Sequence, residues 1–459
     1  MRCTVENLDA DPARRIPGNN AAVRVRVGKF LVFGAVPSRV QPTCSVMEGE
    51  TTKSERGCLP WLIVFASFAV SFIQVGFSYS YGLLLPSVAS HFQVSRAEAA
   101  LAGSIMTGLT LAVGPPVSGL IKRFGHRRTS LAGSLLATFG LLLAGLYIDL
   151  LAGDQIAVLY VTIGILSGLG FGLLCLPAID ILQFHFSARL GLALGLASSG
   201  SGLGQLVLAP LLQLALSSLG LGSSLYCLAV LVALTIPAGL LYKTPEGLEK
   251  VEDNDEKQSA WKTYKELLSS PPMILLLFSH LLVNLGIFSN FSFMADHAVQ
   301  HGMDINNTGL LLSVMGGANC AGRIIFGFLL DRFRQHAMVL TAAILITNAI
   351  SFLLGEFLRS FGGQAVLAGT FGLTFGAYSS STVIVLRTIT KDTTTALGLC
   401  FLAFAASSLL GSTTAGAMFD RTGDYCLGLL VMAILAGLGS LLLGPILWIQ
   451  RKAQRKHMA

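Results

Sequence analysis

The sequence is poor in charge. Only 12% of its 459 residues are Asp, Glu, Lys or Arg, where a soluble domain carries about 25%. So little charge excludes an ordinary soluble enzyme, a disordered chain and a nucleic-acid-binding domain. Catalytic motifs are missing as well: there is no His-Glu-x-x-His, no Gly-x-Ser-x-Gly elbow and no convergent pair of acids, so no enzyme is expected. The eight cysteines have neither metal-ligand nor redox spacing, and most lie in apolar stretches. They read as packing residues, with no metal and no cofactor implied. The first 58 residues hold no long apolar run, only Phe30 to Val36, which is too short to span and too far along for a secretory signal. Arg14, Arg15, Arg24 and Arg26 hint at a transit peptide, but Glu6, Asp9 and Asp11 argue against one, leaving a cytosolic tail. Met47 is an alternative start.

What the chain does have is apolar length. It is 53% hydrophobic and contains 50 glycines, and its mean hydropathy is +0.70. A bilayer core needs about 20 apolar residues in a helix, and twelve runs of that kind follow one another. Six lie near 60–85, 97–121, 129–149, 155–182, 190–216 and 221–242. Six more lie near 273–298, 307–330, 337–358, 363–386, 394–418 and 427–449. The expected fold is an all-α membrane protein with twelve transmembrane helices in two six-helix halves. Its parts are a tail (1–58), a first half (59–242), a central loop (243–272), a second half (273–450) and a short tail (451–459). Within the central loop, Trp261 to Leu268 reads as an interfacial helix or as part of a solvated linker.

The charges are distributed by side. Twenty-seven of the 31 basic residues fall in the two tails and the even-numbered loops, and three in the odd loops: Arg96, Arg359 and Arg421. This bias puts both termini of a multi-pass membrane protein in the cytosol; the membrane expected is the plasma membrane. The sequon at Asn306 then lies outside, as a glycosylation candidate. One basic residue, Arg323, is left inside a span.

Two loops echo one another. Gly119-Leu-Ile-Lys-Arg123-Phe-Gly125-His-Arg-Arg128 follows the second span, and Gly327-Phe-Leu-Leu-Asp331-Arg332 follows the eighth. Both resemble the Gly-x-x-x-Asp-Arg loop of the major facilitator superfamily, the first copy more loosely, with Lys122 in place of the acid and three residues after Gly119 instead of four. Other patterns resemble the monocarboxylate transporter family. His185-Phe186-Ser-Ala-Arg189 followed by Leu192-Ala193-x-Gly195-Leu-Ala197-x-Ser199-Gly200-x-Gly202-x-Gly204 is similar to its signature around the fifth span. Gly416-x-x-x-Asp420-x-Thr422-Gly423-x-Tyr425 is similar to its pattern between the last two spans. Arg323 stands where the family carries an intramembrane arginine, and Gly57 and Trp61 fit part of its Asp-Gly-Gly-Trp-Gly-Trp motif. The chain departs from the family at Arg56, Cys58, Leu59 and Pro60 in that motif. It also has Leu83 where lactate-carrying members have lysine, and Asn319 where the family has an acid four residues before the arginine. The chain thus reads as an atypical member.

The resemblance implies a secondary transporter of a small monocarboxylate or related amphipathic carboxylate, working by alternating access. A facilitated uniporter of aromatic amino acids or of zwitterions such as creatine, and a non-transporting sensor or scaffold, stay open as alternatives. The partners implied are the substrate and membrane lipid, not nucleic acid. Proton coupling stays open, as does the single-span immunoglobulin-like ancillary protein that some family members need. Arg323 is the first candidate for substrate contact, since a guanidinium fork suits a carboxylate. Asn319 lies one turn away on the same face and cannot titrate. Ser78 and Tyr81 belong to a polar stripe with Gln74, and His280 and Asn284 share a face of the seventh span. Asp180, near the cytosolic end of the fourth span, reads as a coupling acid or as the partner of a loop arginine.

Overall fold

The structure is a computed structural model and describes residues 26–27, 30–31, 58–150, 155–243, 260–300, 305–354, 357–358, 360–422 and 426–449. Residues 1–50 form a unit of their own. Its described part is a two-residue antiparallel ladder pairing Arg26 with Leu31 and Val27 with Phe30.

Apart from short connections, the remaining described residues are helical. The helices are α1 (Cys58–Phe92), α2 (Arg96–Ala112), α3 (Gly114–Asp149), α4 (Ala157–His185), α5 (Leu190–Leu219), α6 (Leu221–Leu240), α7 (Ala260–Ser269), α8 (Pro271–Gln300), α9 (Ile305–Arg332), α10 (Ala337–Leu354), α11 (Phe361–Ile389), α12 (Thr393–Thr422) and α13 (Cys426–Leu441). Among the described residues ten helices are long and apolar enough to cross a bilayer, and α2 and α11 complete twelve spans. All-helical spans are what lipid demands, because it offers the backbone no other hydrogen-bond partner.

Local chemistry explains the breaks. Gly125 takes φ 81° inside α3, a left-handed conformation that suits glycine, and so divides the second span from the third. Gly220 does the same at φ 84° between α5 and α6. A capping box starts α2: Ser95 Oγ accepts from Glu98 N–H (3.2 Å), while Glu98 Oε2 accepts from Ser95 N–H (2.9 Å). The segment from Ala260 to Ser269 is a helix rather than a solvated linker. The Tyr264 hydroxyl donates to Pro115 O at 2.6 Å, which moors the helix on the first half.

Many large apolar side chains point outward, among them Phe65 at 66% and Leu214 at 64% exposure. A soluble protein would hide such a surface, and here it is the lipid-facing one. The inner seams are built of small residues that let backbones touch. The helix α5 lies on α1 through Gly200 and Gly204, where an added Cβ would stand 2.3 and 2.1 Å from Phe68 O and Phe72 O.

Candidate substrate site and basic-end contacts

Arg323 sits on α9, nine residues before the helix ends at Arg332, which is roughly 13 Å along the axis. Its backbone is gripped from two sides. A Cβ at Gly195 of α5 would fall 2.2 Å from Arg323 O, and one at Gly376 of α11 would fall 3.0 Å from Arg323 N. The glycine-rich pattern of α5 thus lets a helix of the first half approach Arg323 of the second.

The side chain is 8% exposed. Its Nε donates to Asn319 Oδ1 at 2.9 Å, and its guanidinium carbon lies 5.9 Å from the centre of the Phe375 ring, within cation–π range. Among the described residues no carboxylate forms an ion pair with it. It borders a pocket between the halves, with Tyr79, Ser201 and Gln205 on one side and Asn319, Met315 and Phe375 on the other. The space, about 10 Å³, holds about one water.

The other expected site residues divide. Asn319 joins Arg323 directly. Tyr81 does not reach the pocket: its hydroxyl donates to Ala99 O at 3.2 Å, and its ring fills the place of a side chain at Gly103. It joins α1 to α2, and Tyr79 is the tyrosine of α1 that meets the pocket. Ser78 donates back to Gln74 O at 3.0 Å. His280 and Asn284 lie in a separate cluster of the second half. The His280 ring stands edge-on to Tyr378 at 5.4 Å, and Asn284 Nδ2 donates to the Tyr378 hydroxyl at 2.9 Å. Both ring nitrogens of His280 are buried without a hydrogen-bond partner among the described residues.

A second constellation joins the halves at the basic end of the bundle. Asp180 is fully buried. It pairs with His126 of α3 at 2.9 Å rather than with a loop arginine. It also accepts from the Thr394 hydroxyl of α12 at 2.9 Å and from Gln183 Nε2 at 2.5 Å. Lys122 forms an ion pair with Asp392, across the halves. Asp392 Oδ1 accepts from Thr395 N–H at 3.2 Å, capping α12. In the other loop copy Asp331 itself accepts from the first N–H groups of α5, Gly191 at 2.7 Å and Leu192 at 2.8 Å. The two copies solve one problem differently: one carries the capping acid, and the other carries a lysine that meets an acid on the capped helix.

The remaining motif residues have plainer settings. Gly327 meets Gly191 O at the α5–α9 crossing, while Gly119 has open space around it. Arg123 lies over the Phe124 ring, and Arg128, Arg189 and Arg332 are exposed. Asn306, Gly416 and Asp420 fall within α9 and α12, but their side-chain surroundings lie outside the described residues.

The comparisons agree with this architecture. The profile of the Major Facilitator Superfamily matches residues 64–393. Monocarboxylate transporter 11 of Homo sapiens is 27% identical, with 83% of this chain and 81% of that protein covered. Monocarboxylate transporter 12 of Rattus norvegicus is 27% identical over 84% of each. The E. coli fucose:proton symporter FucP matches in structure with TM-score 0.65 at 17% identity, covering 83% of this chain and 98% of that one. The proton:xylose symporter XylE matches with TM-score 0.66 at 13% identity, covering 86% and 96%. The chain belongs to the major facilitator superfamily of multi-pass membrane transporters. Within it, the chain is similar to monocarboxylate transporters, which are not enzymes.

Proposed function

We propose that the protein moves a small monocarboxylate, or a related amphipathic carboxylate, across the plasma membrane by alternating access, with both termini in the cytosol. The reading is carried by Arg323: a buried cation between the halves, held by Asn319 and Phe375 and in no ion pair among the described residues. A carboxylate would supply the missing charge through two parallel hydrogen bonds. Tyr79 and Phe375 provide aromatic surface for the rest of the substrate. The partition of basic residues supports the orientation.

Asn319 favours a refinement. An aspartate there would neutralise Arg323 until protonated, whereas Asn cannot titrate, so the site works as a uniporter or exchanger. The same feature suits the second reading, facilitated uniport of aromatic amino acids or zwitterions. The deciding experiment is uptake of a labelled panel of these compounds at two pH values, comparing wild type with Arg323→Ala. The expected result is uptake that Arg323→Ala abolishes and that causes no substrate-dependent acidification. Equal uptake by both proteins would remove Arg323 from the site, and no uptake of any compound would favour a sensor or scaffold.

A further inference from the structure

A second cavity, of about 690 Å³, opens at the basic end of the bundle, between the segment from Gln183 to Ser187 and the segment from Arg387 to Thr394. Its volume suits a small organic ligand. Three cations line it, Arg334, Arg387 and Lys391, against one acid, Asp392, which is already engaged by Lys122. Arg334 Nη1 donates to Ser187 O at 2.5 Å, and Arg387 Nη2 donates to Gln183 O. Both arginines therefore reach from the second half to carbonyls of the first. Both line the same cavity, and among the described residues neither is in an ion pair; Asp180, whose charge also reaches Arg387, is paired with His126. Two guanidiniums at one cavity, each with further N–H groups to give, offer an anion a set of charged donors.

We propose that this cavity binds a phosphate group, and that the bound phosphate holds the basic end closed. Three cations against a single, engaged acid favour a multiply charged oxyanion over a monocarboxylate. Binding would balance the positive charge of the cavity wall while the two arginines hold the carbonyls of the first half. The state with this end closed is then favoured, and transport slows. The phosphate has two chemical sources, a soluble phosphate ester or the headgroup of a phosphorylated lipid in the adjoining leaflet. The binding claim is independent of the carboxylate reading.

The test uses the purified full-length protein. In detergent, pyrophosphate should raise the melting temperature at constant ionic strength, where chloride does not. The double variant Arg334→Gln/Lys391→Gln should weaken that binding at least about tenfold, and Arg334→Lys should weaken it less. In bilayers, phosphatidylinositol bisphosphate should stabilise wild type more than phosphatidylserine does if the source is a headgroup. A response to pyrophosphate alone assigns the site to soluble phosphates. Because melting is read without transport, failure here is separable from failure of the carboxylate reading. Equal shifts in wild type and both variants, or no shift with either probe, overturn the proposal.

Discussion

Arg323 combines features that seldom occur together. It is an arginine inside a span, it is buried, and it has one amide and one aromatic ring for company but no acid within ion-pair distance among the described residues. Burying a charge is costly unless something compensates it. A substrate carboxylate would be that compensation, and geometry then separates arginine from lysine. Arg323→Lys keeps the charge but loses the fork and the planar contact with Phe375, so uptake at low substrate should fall at least about tenfold, as initial rates would show. Asn319→Asp tests the neighbouring position. The new carboxylate would pair with Arg323 when ionised and release it when protonated. Uptake should therefore acquire a pH dependence absent from wild type, rising as pH falls. A flat profile in the variant would mean that residue 319 does not govern access to the guanidinium. This much was legible beforehand, because Arg323 is the one basic residue the spans leave inside the membrane. Asn319, one turn away on the same helix, was legible too; the companions from other segments were not. Phe375 belongs to another helix, and Tyr79 was passed over for Tyr81 because a stripe counted at helical spacing does not say which neighbour each side faces.

At the scale of helices, apolar runs made the twelve spans readable, since lipid allows few other ways to cross. The glycine pattern of the fifth span was readable only as a likeness; its physical causes are the crossing with α9 at Gly195 and the contact with α1 at Gly200 and Gly204. A side chain at Gly195 would enter the Arg323 carbonyl, whereas Gly119 has nothing within 4 Å. Gly195→Val should therefore sharply reduce the yield of folded protein, while Gly119→Ala should leave yield and melting temperature close to wild type. Size-exclusion profiles of the two variants make the comparison. Similar losses in both would mean that glycine serves this chain by some means other than close approach. The partners of Lys122 and Asp180 were beyond sequence spacing for the same reason as Phe375. Asp392 lies 270 residues from Lys122 and His126 lies 54 residues from Asp180, and only the packing of helices brings them together.

For the molecule as a whole, the contacts between the halves at the basic end matter because alternating access requires them to break. Lys122 to Asp392, Thr394 to Asp180, Arg387 to Gln183 and Asp331 to the start of α5 all cross from one half to the other. Each is a polar contact worth about 0.5–3 kcal/mol, small enough to be exchanged for others in a second state and collectively enough to hold the first. A covalent bond in their place could not be exchanged. Lys122→Cys with Asp392→Cys puts two thiols where the ion pair stood, within reach of a short thiol-reactive cross-linker. Cross-linking should stop uptake, a reductant that cleaves the linker should restore it, and each single cysteine variant should keep its uptake under the same treatment. The single variants control for the eight native cysteines. Transport that continues with the bridge intact would mean that this end stays closed throughout the cycle, and the alternating-access reading would fail with it. Arrest that follows the bridge would make the lysine in the first loop copy a moving contact, broken and remade in each turnover.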